Sequence, residues 1–65
     1  MCQYSVVALG EDGKETPVAA NISAIEVNEE GGLTIQTLFE EAGHVPAARI
    51  RKVDCLAGKI VIEHQ

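Results

Sequence analysis

The second residue of the sequence is a cysteine, directly behind Met1. At this position the thiolate of Cys2, its backbone amide nitrogen and the free α-amine of Met1 can close fused small rings around one metal ion. Such a planar set of nitrogen and sulfur donors favours Ni(II) or Cu(II) over Zn(II), which prefers a tetrahedron. Because a reducing cytosol holds copper as Cu(I), Ni(II) is the leading ion, with other divalent transition metals behind it. The competing interpretation is that Cys2 is an ordinary small apolar residue at the start of the first strand.

Other residues with metal-binding or catalytic side chains show weaker patterns. Paired acids stand beside glycine at 10–13, 29–32 and 40–43, but none of these segments has the alternating oxygen donors of a calcium loop, so we predict exposed hairpin tips. Glu40, Glu41 and His44 share a loop and could form an oxygen-and-nitrogen site, but their spacing does not require one, and an exposed loop histidine is the favoured interpretation. His44 and His64 are the only candidate catalytic bases, and we predict that the protein is not an enzyme.

Cys55 is predicted to be a small buried residue of the fifth strand.

The balance of charges argues against two classes of partner. The chain has 65 residues, ten of them acidic and five basic, for a formal net charge of −5. This charge repels nucleic acid and anionic membranes. Arg49, Arg51 and Lys52 form the one basic cluster that could be an RNA-binding edge, but one tyrosine, one phenylalanine and no tryptophan leave few rings for bases to stack on. We therefore predict solvated strand charges there.

The length and the cysteine count bear on stability and compartment. Two cysteines cannot form a framework of several disulfide bonds. The apolar run at 6–9 is too short for the hydrophobic region of a signal peptide or for a membrane span. We therefore expect a cytoplasmic chain with reduced thiols. A domain this small hides only about 60% of the surface that its unfolded chain exposes. Because a disulfide framework is excluded, oligomerisation is the remaining way for this small domain to gain stability, and we predict a homodimer.

Short runs rich in β-branched residues alternate with turn residues along the whole chain. The predicted strands are 4–9, 14–18, 22–27, 33–39, 49–55 and 59–63. Helix should be minor or absent, because Gly43 and Pro46 interrupt the one candidate segment, 38–48. The prediction is a single all-β domain of residues 1–65, a small SH3-like (Sm-like) β-barrel of about six short antiparallel strands, in which a hairpin at Ala57 and Gly58 joins the last two.

The alternation within these strands predicts the core. We expect the following residues to be buried: Ile25, Val27, Leu33, Ile35, Ile50, Val53, Ile60 and Ile62. Val6 and Val7 point to opposite faces of the first strand. Because a small barrel covers only one of these faces, we expect the other to pack against a second subunit.

Four segments together resemble the CooT family: Met1-Cys2 opening a strand, the hairpin at 10–13, Thr37-Leu38-Phe39-Glu40-Glu41 before a Gly-His-Val-Pro stretch, and Arg51-Lys52-Val53-Asp54 before the last hairpin. Members of that family are small nickel-binding accessory proteins of carbon monoxide dehydrogenase maturation. The resemblance implies an SH3-like barrel that binds nickel as a homodimer through Cys2, with Met1 supplying the amine.

Residues and resemblance together predict a cytoplasmic nickel-binding accessory protein or metallochaperone. The predicted site joins two Cys2 thiolates and nitrogen donors at a homodimer interface, and the client is carbon monoxide dehydrogenase or its maturation factors. The alternative is a metal-free Sm-like or SH3-like interaction module, with RNA as one partner. Loss of metal binding in Cys2→Ser favours the first function, and salt-dependent RNA binding favours the second.

Overall fold

The computed structural model describes residues 3–39, 41 and 43–64. Within them the chain forms strands only, in one mixed sheet of six with the order β4-β3-β2-β1-β6-β5. The strands are β1 (Tyr4–Leu9), β2 (Glu15–Val27), β3 (Leu33–Thr37), β4 (Gly43–Val45), β5 (Ala48–Asp54) and β6 (Lys59–His64). The all-β prediction is confirmed. No helix long and apolar enough to cross a membrane occurs in this part of the chain.

The sheet is open, so the predicted closed barrel is not confirmed. β4 and β5 are its two edge strands, and no strand pairing joins them in the described part of the chain. A hydrogen bond connects the start of β5 to the turn before β3: the amide of Ala48 donates to the carbonyl oxygen of Gly31 at 3.0 Å. The two strands follow each other closely, and Ala47 between them has a φ of 52°. The chain therefore changes direction at Ala47 and continues into the pairing of β5 with β6.

The prediction that all strands are antiparallel is wrong for one pair. β1 and β6 run parallel, with Ser5 opposite Lys59 and Ala8 opposite Ile62. These are the first and last strands, and the rest of the chain connects them, so no tight hairpin forces them to run in opposite directions. The predicted antiparallel hairpin of β5 and β6 is confirmed, with Asp54 opposite Lys59.

β2 is longer than predicted and takes the place of two predicted strands. Its first half pairs with β1 and its second half with β3. Asn21 lies between the halves with a φ of 54°, a left-handed conformation that asparagine tolerates better than most residues. Asn21 therefore bends the strand without ending it. The sequence prediction missed β4, because a strand of three residues that begins at Gly43 and ends before Pro46 resembles a loop.

The core lies on one face of the sheet where the central strands meet. Its buried cluster consists of Val6, Leu33, Ile35, Ala48, Ile60 and Ile62. The predicted members Ile25 and Ile50 pack against this cluster half-buried. Val27 and Val53 are exceptions at 69% and 52% exposed, because the open sheet leaves the core uncovered at its ends.

Val7 and Val61 lie on the other face of the sheet, which the sequence analysis assigned to a second subunit. They are opposite each other in the pairing of β1 with β6. Val61 is only 4% exposed and Val7 is half-buried. This second face is therefore buried at Val61 and partly exposed at Val7.

Candidate metal centre

The two predicted ligands, Met1 and Cys2, lie outside the described residues. Gln3, the first residue described, is exposed and leads directly into β1. Tyr4 then packs against the core cluster and lies opposite Ile22 of β2. The structure therefore defines the surroundings of the point where the N-terminal residues join the sheet.

The start of β1 is held against the turn at 55–58 between β5 and β6. The amide of Ser5 donates a hydrogen bond to the carbonyl oxygen of Gly58 at 2.9 Å. Gly58 has a φ of +67°, and a β-carbon at this position would lie 3.1 Å from the carbonyl oxygen of Gln3. Both the backbone conformation and the close approach favour glycine here. The turn therefore fixes the backbone directly after Cys2.

Two charged residues hold the turn in place at its two ends. Asp54 accepts a hydrogen bond on Oδ1 from the amide of Ala57 at 3.0 Å. That bond, followed by the charge of Lys52, lowers the pKa of Asp54 against the opposing effect of burial. At the other end, a 2.7 Å contact joins Lys59 Nζ to Glu15 Oε1, and the hydrogen bond between them raises the pKa of Lys59. The turn is thus tied to strands on both sides.

Cys55 is exposed, and its thiol is free. The prediction that it is a buried residue of the fifth strand is wrong, because β5 ends at Asp54 and Cys55 is the first residue of the turn. The same turn contains Gly58, which contacts Gln3. The structure therefore places Cys55 in the turn whose last residue, Gly58, approaches Gln3, a relation that cannot be read from the distance between the two cysteines in the sequence.

The predicted loop site at Glu40, Glu41 and His44 is only partly described, since Glu40 lies outside the described residues. Glu41 and His44 line the same shallow cavity. His44 is exposed in β4, and its Nδ1 lies 3.2 Å from the side-chain amide nitrogen of Asn28. The amide nitrogen is a donor, so this contact is a hydrogen bond in the tautomer of His44 whose Nδ1 accepts. In the described residues, no three His, Cys, Asp or Glu side chains are grouped so that they could hold a metal ion.

The remaining candidates for chemistry lie at the surface. His64 is exposed in the last position of β6. The turns at 10–13 and 28–32 place their acids in solvent as predicted.

The basic cluster consists of exposed side chains on the edge strand β5, as predicted. Arg49 and Arg51 contact Glu63 at 3.0 Å and 3.4 Å, and Lys52 lies 3.7 Å from Asp54. Exposed pairs of this kind contribute little to stability. They do place carboxylates next to the three cations, which reduces the positive potential available to a phosphate backbone.

Comparison with known proteins supports an assignment to one family. The family model described as "CO dehydrogenase accessory protein CooT" matches residues 1–63. The crystal structure of a candidate CooT protein from Carboxydothermus hydrogenoformans is similar in fold. Its TM-score is 0.81 at 23% sequence identity, and the match covers 98% of each chain. No curated protein matches the sequence.

Proposed function

The chain belongs to the CooT family of CO dehydrogenase accessory proteins, and on this basis we propose that it is a cytoplasmic nickel carrier. It binds Ni(II) as cargo through Cys2 and Met1 and stores it for, or delivers it to, carbon monoxide dehydrogenase or its maturation factors. The observation that carries the proposal is the family match, which begins at residue 1 and includes both ligands. Maturation of CO dehydrogenase is nickel-dependent. The chain acts as a single domain of residues 1–65 without a catalytic role of its own.

The donor chemistry at the N-terminus suits this cargo. A thiolate and deprotonated nitrogens are strong ligands for a square-planar d⁸ ion, and two of the donors belong to the backbone and need no folded cage. Gln3 is exposed where the chain enters β1, which gives an incoming ion access from solvent. The contact of Gly58 with Gln3 limits the movement of the backbone behind the site.

A homodimer completes the ligand set. One N-terminus offers at most three donors, namely the amine of Met1 and the amide and thiolate of Cys2. Two thiolates that meet across a two-fold axis, with one nitrogen from each chain, give four ligands without any histidine. This arrangement leaves His44 and His64 out of the site.

Titration of the metal-free protein with Ni(II), followed by thiolate-to-metal absorption in the near ultraviolet, tests the proposal. We expect a saturable band in the wild type and its loss in Cys2→Ser. Cys55→Ser is the matched control, because it removes the chain's other thiol, which is exposed and free. A band that survives Cys2→Ser and disappears in Cys55→Ser contradicts the assignment of the site.

A further inference from the structure

The charged residues are divided unevenly between two parts of the chain. Residues 15–47, which form β2, β3 and β4, include six of the ten acids and none of the five lysines and arginines. The formal charge of this acidic segment is therefore −6, and that of the rest, with four acids and five bases, is +1. Glu15 pairs with Lys59, but no other acid of the segment has a lysine or arginine partner among the described residues. The negative potential of the acidic segment is thus largely uncompensated.

Of the two edge strands, β4 is the one open to a further strand. β5 has a bulge between Ile50 and Lys52 and exposed cations at 49, 51 and 52, and both features discourage pairing at an edge. β4 belongs to the acidic segment, pairs with β3 without a register shift and contains no lysine, arginine or proline. Its three residues allow only a short pairing, so a bound strand needs other contacts as well.

An apolar groove beside β4 offers such contacts. It consists of two adjoining cavities that share Val18, Ala19 and Thr37 in their lining. Ile35 lines the first cavity and belongs to the buried core cluster. Phe39 lines the second cavity and is 81% exposed. Exposed apolar side chains beside a groove that reaches the core are typical of a surface that binds another protein.

Gly43 of β4 lines the groove and leaves room for a side chain from a neighbouring strand. Among the described residues, no atom lies within 4 Å of the position that a β-carbon would take at Gly43. Side chains of adjacent strands stand next to each other on the same face of a sheet. An apolar side chain of an added strand can therefore enter the groove at Gly43.

Acidic residues lie at both ends of β4. Glu41 comes two residues before the strand and lines the groove. At the other end, a β-carbon at Gly32 would lie 2.9 Å from the carbonyl oxygen of Val45, which places the turn at 28–32, with its two glutamates, against the last residue of β4. A segment that carries lysine or arginine on both sides of an apolar residue matches this distribution of charge.

We infer that β4 and the groove bind an extended basic segment of another protein. The segment adds to β4 as a strand, seats an apolar side chain in the groove and places its cations near Glu41 and the turn at 28–32. A second copy of the chain fits poorly, because three of its five cations lie on the bulged edge β5 and are paired with acids. The inference goes beyond the proposed nickel function and uses none of its ligand residues.

Peptide titration of the metal-free full chain, followed through its amide NMR signals, tests the inference. The probe is a capped peptide of alternating valine and threonine with two lysines at each end, and the comparison peptide carries glutamates in place of the lysines. We expect the lysine peptide to shift the amide signals of residues 43–45 and of Phe39 and to leave those of β5 unchanged. Its binding should weaken several-fold between about 0.05 M and about 0.5 M salt, because screening reduces the attraction of exposed charges. The glutamate peptide should cause no shifts.

Matched variants separate this edge from a general effect of charge. Glu41→Lys should weaken binding of the lysine peptide by at least about fivefold. Glu11→Lys makes the same change of net charge in the exposed turn at 10–13 and should change the affinity by less than about twofold, because the charge is screened over that distance. Gly43→Val fills the open space with a residue that favours strands, and it should abolish binding.

The spectrum of each free variant shows whether it is folded, and Glu41→Lys decides the matter if Gly43→Val is not. Four results would each overturn the inference: no binding of the lysine peptide, equal binding of the two peptides, shifts confined to β5, or equal effects of Glu41→Lys and Glu11→Lys.

Discussion

At the scale of single residues, the proposed nickel site depends on the position of Cys2 in the sequence more than on its environment. A thiol at residue 2 shares a chelate with the amine and amide beside it, so three donors need no long-range folding. Cys55 has the same side chain and is exposed, but no α-amine stands next to it in the sequence. The two cysteines should therefore differ sharply in their affinity for nickel.

An extension of the N-terminus tests the role of the amine. Adding a short Gly-Ser segment before Met1 converts the amine into an amide and leaves Cys2 unchanged. We expect the nickel affinity to fall by roughly tenfold or more, which corresponds to about 1.4 kcal/mol, as measured by competition with a chromophoric chelator. The same segment added after Gln65 is the control and should have no effect. Equal affinity in the two extended proteins would show that the amine is not a ligand.

At the scale of elements, the turn of residues 55–58 supports the candidate site by fixing the start of β1. Ser5 bonds to Gly58, and Asp54 and Lys59 tie the turn to its neighbours. The pKa of Asp54 is lowered from the ordinary value of an aspartate, so its contribution to stability is present above that ordinary pKa and is lost as the pH falls through the lowered pKa. The pKa of Lys59 is raised by its hydrogen bond to Glu15. The contribution of Lys59 to stability is therefore complete below the ordinary pKa of a lysine and is lost as the pH rises through the raised pKa.

Gly58→Ala should destabilise the protein more than Gly13→Ala. Both glycines have a positive φ, of +67° and +82°, so each substitution carries a similar backbone strain of about 1–2 kcal/mol. Only at position 58 does the new methyl also approach a backbone atom, the carbonyl oxygen of Gln3 at 3.1 Å, whereas nothing lies within 4 Å of the β-carbon at position 13.

Urea denaturation of the two variants measures this difference. We expect the free energy of unfolding of Gly58→Ala to be lower than that of Gly13→Ala by roughly 1 kcal/mol. Equal values would mean that the contact between the turn and Gln3 adds no constraint at the start of β1.

At the scale of the whole molecule, local patterns in the sequence predicted what depends on local pairing. The bounds of β1 and the hairpin of β5 and β6 are confirmed, because a short run rich in β-branched residues that ends at a glycine-containing turn can be recognised from local sequence. The parallel pairing of β1 with β6 and the open edges at β4 and β5 depend on contacts between distant segments. No local pattern reveals them.

The same distinction explains the errors in the predicted core and site. Val53 is an apolar residue between two charged neighbours but is 52% exposed, because the sequence around it indicates an apolar position in a strand and not whether the sheet closes over that position. Cys2 is proposed as a ligand from its place in the chain alone. The turn that approaches Gln3 was not predicted as part of the site, since this approach follows from the register of β1 against β6.

Dimerisation should survive Cys2→Ser in the absence of metal. The apolar residues of the sheet are unchanged in that variant, so we expect the ion to add stability to a dimer that forms without it. Static light scattering on the metal-free variant should give twice the mass of the chain. A clean monomer with a retained β-type circular dichroism spectrum would show that the dimer depends on metal.

X-ray absorption at the nickel K-edge of the nickel-loaded wild-type protein tests the proposed Cys2 site, because it reports the ligand atoms and the geometry around the ion itself. We expect a four-coordinate, square-planar site with sulfur and nitrogen ligands, and loss of the sulfur scattering in Cys2→Ser. A six-coordinate site of oxygen and nitrogen ligands, unchanged by Cys2→Ser, would contradict it.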